Sequence, residues 1–325
     1  MDGSRIRRKD FGQTMTRSVI LGGAGFLGSH LCDLLVSNGH DVVVIDDLTS
    51  GQVQNLEQHT ENKDVQIVLQ SICQPLQVEG QVDFVFNLAS PASPPRYMEL
   101  QRHTLLTGSI GTRNGLELAT EKSARFIQAS TSEVYGDPFE HPQKETYWGN
   151  VNPIGPRSCY DESKRFGEAL CIAYMNEMKT NVGIARIFNT YGPRLNPIDG
   201  RVISNMVTQA LSNEPLTIYG DGSQTRSFCY VSDLVRGLYA LATSTHPGPF
   251  NLGNPVETTI NQLASIIIDE TSSRSEIRFL SLPIDDPIRR CPDISKAKSL
   301  LSWGPQVDLA SGIRMTIQHF EKTAR

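Results

Sequence analysis

Tyr160 and Lys164 stand four residues apart in the run Tyr160-Asp161-Glu162-Ser163-Lys164. On a helix that interval places both side chains on one face, where an ammonium beside a phenol favours the phenolate. A phenol assisted in this way is a usable general base. The pair has little specificity alone, because solvated helical faces often carry tyrosine and lysine at this spacing. Just upstream, Ala129-Ser130-Thr131-Ser132-Glu133 puts hydroxyls and a carboxylate at the end of a strand-like run. In open α/β sheets ligands bind at that carboxyl edge.

A second constellation precedes these. The run ending at Leu21 passes directly into Gly22-Gly23-Ala24-Gly25-Phe26-Leu27-Gly28 and then into a helical stretch. Strand, glycine turn and helix together are the setting in which a pyrophosphate can approach free amide N–H groups and the positive end of the helix dipole. Asp46, 18 residues after Gly28, falls where an acid can accept hydrogen bonds from an adenosine ribose. With Asp47 beside it, a ribose 2′-phosphate would be repelled, so NAD is expected rather than NADP. The seven histidines lack metal-ligand spacing, and no metal is expected.

The elements that must position these groups can be read from periodicity. Strands are expected at Ser18 to Leu21, Asp41 to Ile45, Val65 to Leu69, Asp83 to Leu88, Arg125 to Ala129 and Val182 to Ile187. Helices are expected at Phe26 to Ser37, Thr104 to Lys122 and Tyr160 to Met178. This alternation predicts a Rossmann-type doubly wound parallel sheet over residues 18–188, an α/β fold. Residues 228–252 again read as strand, helix and strand, and are expected to return to that domain. Residues 189–227 and 253–325 then form a smaller C-terminal substrate-binding lobe. Residues 1–17, basic but without an apolar stretch, are expected to be a mobile leader.

Composition narrows the classes further. The 325 residues are 38% apolar and 20% charged, with no uncharged apolar run near the roughly 18 residues of a membrane span. A formal charge of −5 provides no general field for nucleic acid. Six cysteines without CxxC spacing suggest neither a disulfide framework nor a zinc site, and point to a reducing, cytoplasmic compartment.

Gly22 to Gly28, Thr131-Ser132-Glu133-Val134-Tyr135-Gly136 and Tyr160 to Lys164 resemble the extended short-chain dehydrogenase/reductases that modify nucleotide sugars. The resemblance runs from Ser18 to about Phe320 and is closest to the UDP-glucuronic acid decarboxylases, or UDP-xylose synthases. It is carried further by Leu88 to Pro95, Tyr147 to Arg157, Arg186 to Arg194 and Asp285 to Arg290. What it implies is an internal redox cycle on a UDP-sugar. Tyr160, helped by Lys164 and Thr131, takes the proton of the C4 hydroxyl as hydride passes to NAD; the 4-ketone eases loss of carbon dioxide, and hydride return gives UDP-xylose.

The resemblance also assigns residues. Glu133 and Arg290 flank the reacting carbons, with Ser132 beside them. Phe26, Leu27, Thr49, Ser50, Gly51, Leu88, Ser90, Thr107, Thr190 and Arg201 join the cofactor set. Tyr174, Asn189 and Arg226 join the substrate set. It further implies a homodimer formed by the helices at Thr104 to Lys122 and Tyr160 to Met178.

Four positions depart from the family pattern. Leu106-Thr107-Gly108 stands where the family has Lys-Thr-Asn, Ser71 where it has an aspartate, and Asn87 where it has a histidine. Gly108, Gly111 and Gly115 lie close together in one expected helix, each costing on the order of 1 kcal/mol relative to alanine. Related activities remain open. A 4-epimerase would share Tyr160 and Lys164 without needing Glu133 and Arg290, and a decarboxylase could release its 4-keto pentose. A 4,6-dehydratase would want an aspartate where Ser132 stands. A non-catalytic NAD-binding regulator is the reading from a different class.

Overall fold

The computed structural model describes residues 15–281 and 289–323. In chain order these form β1 (Arg17–Leu21), α1 (Phe26–Ser37), β2 (Asp41–Asp46), β3 (Val65–Leu69), β4 (Phe84–Asn87), α2 (Pro94–Glu99), α3 (Gln101–Leu106), α4 (Thr112–Lys122), β5 (Arg125–Thr131), α5 (Ser158–Glu177) and β6 (Val182–Ile187). There follow β7 (Thr190–Tyr191), α6 (Val202–Leu211), β8 (Leu216–Tyr219), β9 (Thr225–Ser227), β10 (Cys229–Tyr230), α7 (Val231–Thr243), β11 (Phe250–Leu252), β12 (Glu257–Thr259), α8 (Ile260–Thr271), β13 (Ile277–Leu280), β14 (Arg289–Arg290), α9 (Ser295–Leu301) and α10 (Leu309–Thr323).

Seven strands make one sheet in the order β11-β6-β5-β4-β1-β2-β3, and every pairing in it is parallel. Central strands buried on both faces need continuous apolar runs, which Val42-Val43-Val44-Ile45 supplies. Leu31 and Leu35 of α1 and Leu234 and Leu238 of α7 pack in one core cluster. Leu116 and Ala119 of α4 and Cys171 of α5 belong to the other. The chain winds away from β1 in both directions, so the strand order reverses between β1 and β4. That crevice, at the carboxyl ends of the strands, is where such sheets admit a ligand.

Two departures from the expected elements have physical causes. The expected helix at Thr104 to Lys122 is broken into α3, a π-helical turn at residues 107–111 and α4. The turn contains Gly108 and Gly111, two of the three glycines that weaken this helix. Arg17 does not belong to a leader. Its amide donates to Asp83 Oδ2 at 2.7 Å and its guanidinium lies 3.3 Å from Asp41, which fixes it in β1. Residues 1–14 of the expected leader lie outside the described residues, as do Asp285 to Ile288 of the segment that carries the resemblance.

The smaller sheets lie beyond the main one. β9 pairs with β12 and β14, with Arg226 opposite Arg290 in the register, while β8 pairs with β13. Asn251, fully buried in β11, ties these outer segments to the sheet. Its Oδ1 accepts from the Tyr135 hydroxyl at 2.7 Å, and its Nδ2 donates to the carbonyls of Gln143 at 2.9 Å and Asp293 at 3.1 Å. Asn251→Ala would remove three hydrogen bonds at once, although the Gln143 carbonyl keeps the Asp293 amide and the Tyr135 hydroxyl keeps Arg186, so urea unfolding should show a loss of about 2 kcal/mol. A loss below about 0.5 kcal/mol would show that water replaces the amide without penalty.

Candidate active site

The glycine turn after β1 is a tight crossing. Gly22 has φ +81°, in the left-handed region, and a Cβ there would fall 2.6 Å from the Ala89 backbone. Gly28 packs against the carbonyl of Gly22, so α1 lies close on the turn. At Gly25 a Cβ would meet only the Gly22 oxygen at 3.3 Å, leaving that side open. Gly25 caps α1 without a side-chain hydrogen bond, and no acid occupies the first turn. The first amides of α1 are therefore available to an anion.

Asp46 closes the other wall of this cradle. One of its carboxylate oxygens accepts the Ala24 amide at 2.9 Å and the other accepts the Leu48 amide at 2.8 Å. Burial pushes its carboxyl above the ordinary aspartate value, despite both bonds. Ribose hydroxyls donating to it would offset part of that cost. Burial would also raise Asp47, but bonds from the Thr49 hydroxyl and amide, the nearby His103 and the Ser71 hydroxyl together hold it below its usual value. Ser71 thus serves the neighbouring acid rather than supplying one.

The pocket is lined by Gly22, Gly25, Ile45, Asp46, Asp47, Thr49, Ser50, Gly51, Ile72, Leu88, Ala89, Ser90, Pro91, His103 and Thr107. These residues fit a dinucleotide: a cradle with one open glycine, free amides and a buried acid at the end of β2. Phe26, Leu27 and Gly28 form the first turn of α1 and contribute its first amides. Asn87, buried in β4, donates to Thr112 Oγ1 at 3.1 Å and Gln128 Oε1 at 2.9 Å, which makes it a strut between β4, β5 and α4.

β5 and α5 meet at the reacting end. Tyr160 and Lys164 are both buried, and the Lys164 Nζ lies 5.7 Å from the Tyr160 ring centre and donates to the Ala129 carbonyl at 2.9 Å. Burial raises the Tyr160 phenol to about 12, opposed chiefly by a hydrogen bond with the Thr131 hydroxyl. Thr131 Oγ1 also accepts the Glu133 amide at 3.2 Å. Burial lowers Lys164 to about 8. Each member of the pair is thereby displaced toward its neutral form.

Glu133 is held between two arginines. Its Oε1 pairs with Arg290 and its Oε2 accepts from Arg157 at 2.5 Å. Burial works against the charge of Glu133, but Arg290 and then Arg157 outweigh it and hold the carboxyl below the ordinary range. Arg290 also donates to the Gly136 carbonyl at 2.9 Å and lies 3.5 Å from Ser132 Oγ. Arg226 adds positive charge near Glu133, and Arg201, paired with Asp199, adds it near Tyr160. Asn189 and Thr190 follow β6, where the Asn189 carbonyl accepts the Cys229 amide at 2.8 Å and Thr190 Oγ1 donates to the Phe188 carbonyl at 2.8 Å.

Tyr174 does not reach this place. It lies 14 residues beyond Tyr160 on α5, about 21 Å along the helix axis at 1.5 Å per residue. There it packs against the core cluster beneath α4 and α5, and borders an outer groove with Glu117, Leu170 and Met178. The assignment of Tyr174 to the sugar site is corrected accordingly: it shares a helical face with Tyr160 but not its height.

Sequence reasoning passed over several groups here. Arg157, one turn before Tyr160, could have been found from that spacing. Tyr97, fully buried on α2, stacks on Tyr160 with ring centres 5.0 Å apart, and its hydroxyl has no hydrogen-bond partner among the described residues. Asp161 is buried beside Glu133, and burial followed by that neighbouring charge raises it to about 7. Glu168 accepts two bonds from Arg186, at 2.9 and 2.8 Å, and one from Ser130 at 2.5 Å, which anchors α5 on β5 and β6. Among the described residues no group of three or more His, Cys, Asp or Glu is placed to hold a metal.

A doubly wound sheet with a dinucleotide cradle at its switch point and a buried tyrosine–lysine pair beside it defines a short-chain dehydrogenase/reductase. Residues 18–253 match the NAD dependent epimerase/dehydratase family, and the chain belongs to that family. It is 53% identical over 306 residues to UDP-glucuronic acid decarboxylase 1 of Danio rerio, spanning 94% of this chain and 73% of that protein. Among solved structures, UDP-glucose 4-epimerase with UDP-glucose from Thermotoga maritima superposes with a TM-score of 0.87 at 31% identity, covering 95% of this chain and 100% of the other. UDP-glucuronic acid 4-epimerase from Bacillus cereus, in complex with UDP-glucuronic acid and NAD, gives 0.83 at 28% identity with coverage of 95% and 100%.

The depressed Lys164 has a measurable consequence. An unfolded lysine titrates near about 10.4, so between about 8 and about 10.4 the unfolded chain binds more protons and stability rises with pH. Below about 8 the cost of the buried charge is present in full. Lys164→Met should therefore be more stable than the parent at pH 7 by up to about 2 kcal/mol in urea unfolding, with the gap closing near pH 10.5. A variant less stable at both pH values would show that the bond to Ala129 outweighs the buried charge.

Proposed function

We propose that this chain is an NAD-dependent decarboxylase of UDP-glucuronate that forms UDP-xylose. The observation that carries the reading is the Glu133 carboxylate clamped by Arg157 and Arg290 next to the Tyr160–Lys164 pair. A 4-epimerase needs the pair but not the clamp. Relatives named UDP-glucuronic acid decarboxylase, near 50% identity over most of the chain, support the same activity.

Gly22, Gly25, the first amides of α1 and Asp46 would hold NAD, with Thr49, Ser50, Gly51, Leu88, Ser90 and Thr107 closing around it. Bound NAD supplies the hydride acceptor and donor at the sugar C4 and, when oxidised, a positive ring charge that favours the Tyr160 phenolate. Tyr160 accepts the C4 hydroxyl proton through a hydrogen bond shared with Thr131. Lys164 stabilises the phenolate from the inner side of α5. With a ketone at C4, the C6 carboxylate is β to it, and the electron pair released with carbon dioxide is delocalised onto the C4 oxygen. Glu133 and Arg290 orient the sugar and manage the proton delivered at C5. Arg201 and Arg226 supply charge for the diphosphate and nucleotide, with Asn189 near the sugar.

The same reading assigns residues 18–188 with 228–252 to the cofactor domain and residues 189–227 with 253–325 to the nucleotide-sugar lobe. β11 in the main sheet supports this, as do Arg226 and Arg290 in a separate small sheet. It includes a homodimer built on the outer face of α3, α4 and α5, where Leu105, Leu106, Phe166, Ile172 and Met178 are exposed. It also includes a cytoplasmic location, supported by six cysteines that are all unpaired. No helix among the described residues is long and apolar enough to cross a membrane.

With UDP-glucuronate and NAD, the protein should release carbon dioxide and UDP-xylose in equal amounts without accumulating NADH. Tyr160→Phe should lower turnover by roughly 10³-fold with NAD affinity unchanged. Glu133→Gln should lower it by on the order of 10²-fold while NAD binding persists. Formation of a 4-epimer without carbon dioxide would overturn the assignment, and unchanged turnover in Glu133→Gln would remove that residue from the mechanism.

A further inference from the structure

Residues 107–111 form one π-helical turn between α3 and α4. Such a turn inserts an extra residue into a helix, is rare, and is found frequently at functional places. Three of its residues face different parts of the site. Thr107 lines the cofactor pocket. Gly111 packs against Ile72, which lines the same pocket. Gly108 packs against Ser163 on the catalytic helix, immediately before Lys164.

The last contact leaves no room for a side chain. A Cβ at position 108 would fall 2.5 Å from the Ser163 Cβ, 2.8 Å from its Oγ and 3.3 Å from its Cα. The position of a Cβ is set by the backbone, so no rotamer of Ser163 relieves the overlap. Ser163 is itself buried, and its Oγ donates to the Tyr160 carbonyl at 2.8 Å. The side chain that fills the notch is thus bonded to the backbone of the residue carrying the phenol and adjoins the residue carrying the ammonium.

We infer that the close fit between positions 108 and 163 positions the Tyr160–Lys164 pair: the notch left by Gly108 admits Ser163, so that the π turn sets how deeply the catalytic helix lies beside the cofactor pocket. The inference rests on the reading of Tyr160 and Lys164 as the proton-transfer pair. It also accounts for the glycine at 108, where the family pattern has asparagine: with Ser163 in place, a larger residue at 108 must displace α5 or the π turn. Because a misplacement of about 1 Å can cost a reaction 10²-fold, a displacement of this kind should act on catalysis before it acts on binding.

The test compares the parent with Gly108→Ala and with Gly108→Ala/Ser163→Gly. It reads turnover of UDP-glucuronate with NAD, the KM for that substrate, thermal unfolding, and the ultraviolet phenolate titration of Tyr160 taken as the difference from Tyr160→Phe. Gly108→Ala should fold, lose roughly 30- to 100-fold in kcat with KM within about 3-fold, and move the Tyr160 titration by about one pH unit. Adding Ser163→Gly removes both atoms that were struck and should return kcat to within about 5-fold of the parent. Parental kcat and titration in Gly108→Ala, or a double variant no better than the single, would overturn the inference. If Gly108→Ala fails to fold, the double variant decides: a folded, active protein upholds the interlock, and an unfolded or inactive one overturns it. Should the parent not decarboxylate UDP-glucuronate, the functional reading fails separately, and an unmoved phenolate titration in Gly108→Ala would then be what rejects the positioning role.

Discussion

The site depends on keeping one ammonium out of water. Lys164 is held by the Ala129 carbonyl at the end of β5, beneath the ring of Tyr160, and its charge is costly there. A surface lysine would leave the phenol near its ordinary titration and would be screened by solvent. In the buried position the same charge is available to a phenolate that has few other ways to be stabilised. The surrounding structure supports that arrangement: the two-bonded Glu168–Arg186 pair fixes α5 on β5 and β6, and Asn251 fixes the strand edge to the loops that carry Glu133 and Arg290.

Charge is distributed with opposite logic in the two halves of the pocket. Around the glycine cradle the fixed groups are carboxylates and free helix amides, which suit ribose hydroxyls and a pyrophosphate. Around Glu133 there are three arginines, two of them in contact with it, and a fourth, Arg201, lies near Tyr160. An ionised carboxylate with two charged partners can exchange one of them for a substrate group without being left unpaired. Asp161 and the Tyr97 hydroxyl lie in the same place, each with a buried polar atom that has no partner among the described residues, which suits this end to meet further polar groups.

The strands were legible because parallel central strands must be apolar on both faces, a condition met by the valine-rich run 42–45 and, but for Arg186, by the run 182–187. The cradle was legible because glycine, strand and acid occur in fixed order along the chain. Much of the reacting end was not. Arg157 reaches Glu133 only because residues 136–157 fold back as a loop, and Tyr97 meets Tyr160 across 63 residues of sequence with no pattern to announce it. Tyr174 was placed with the sugar by resemblance alone, and helical periodicity, which gives the face of a residue but not its height, could not show that it lies four turns away. The glycines of the π turn were visible as weak points in a helix. Their purpose depends on what packs against them, and that is a property of the fold.

The central claim is that the proton leaves through Tyr160 while the hydride is lent within one closed site and returned to the same carbon. UDP-glucuronate carrying deuterium at C4 tests this directly. Carbon dioxide release should be slowed by a primary isotope effect in single turnover, and the UDP-xylose formed should retain deuterium at C4. Release at an unchanged rate, with the label lost to water, would contradict it.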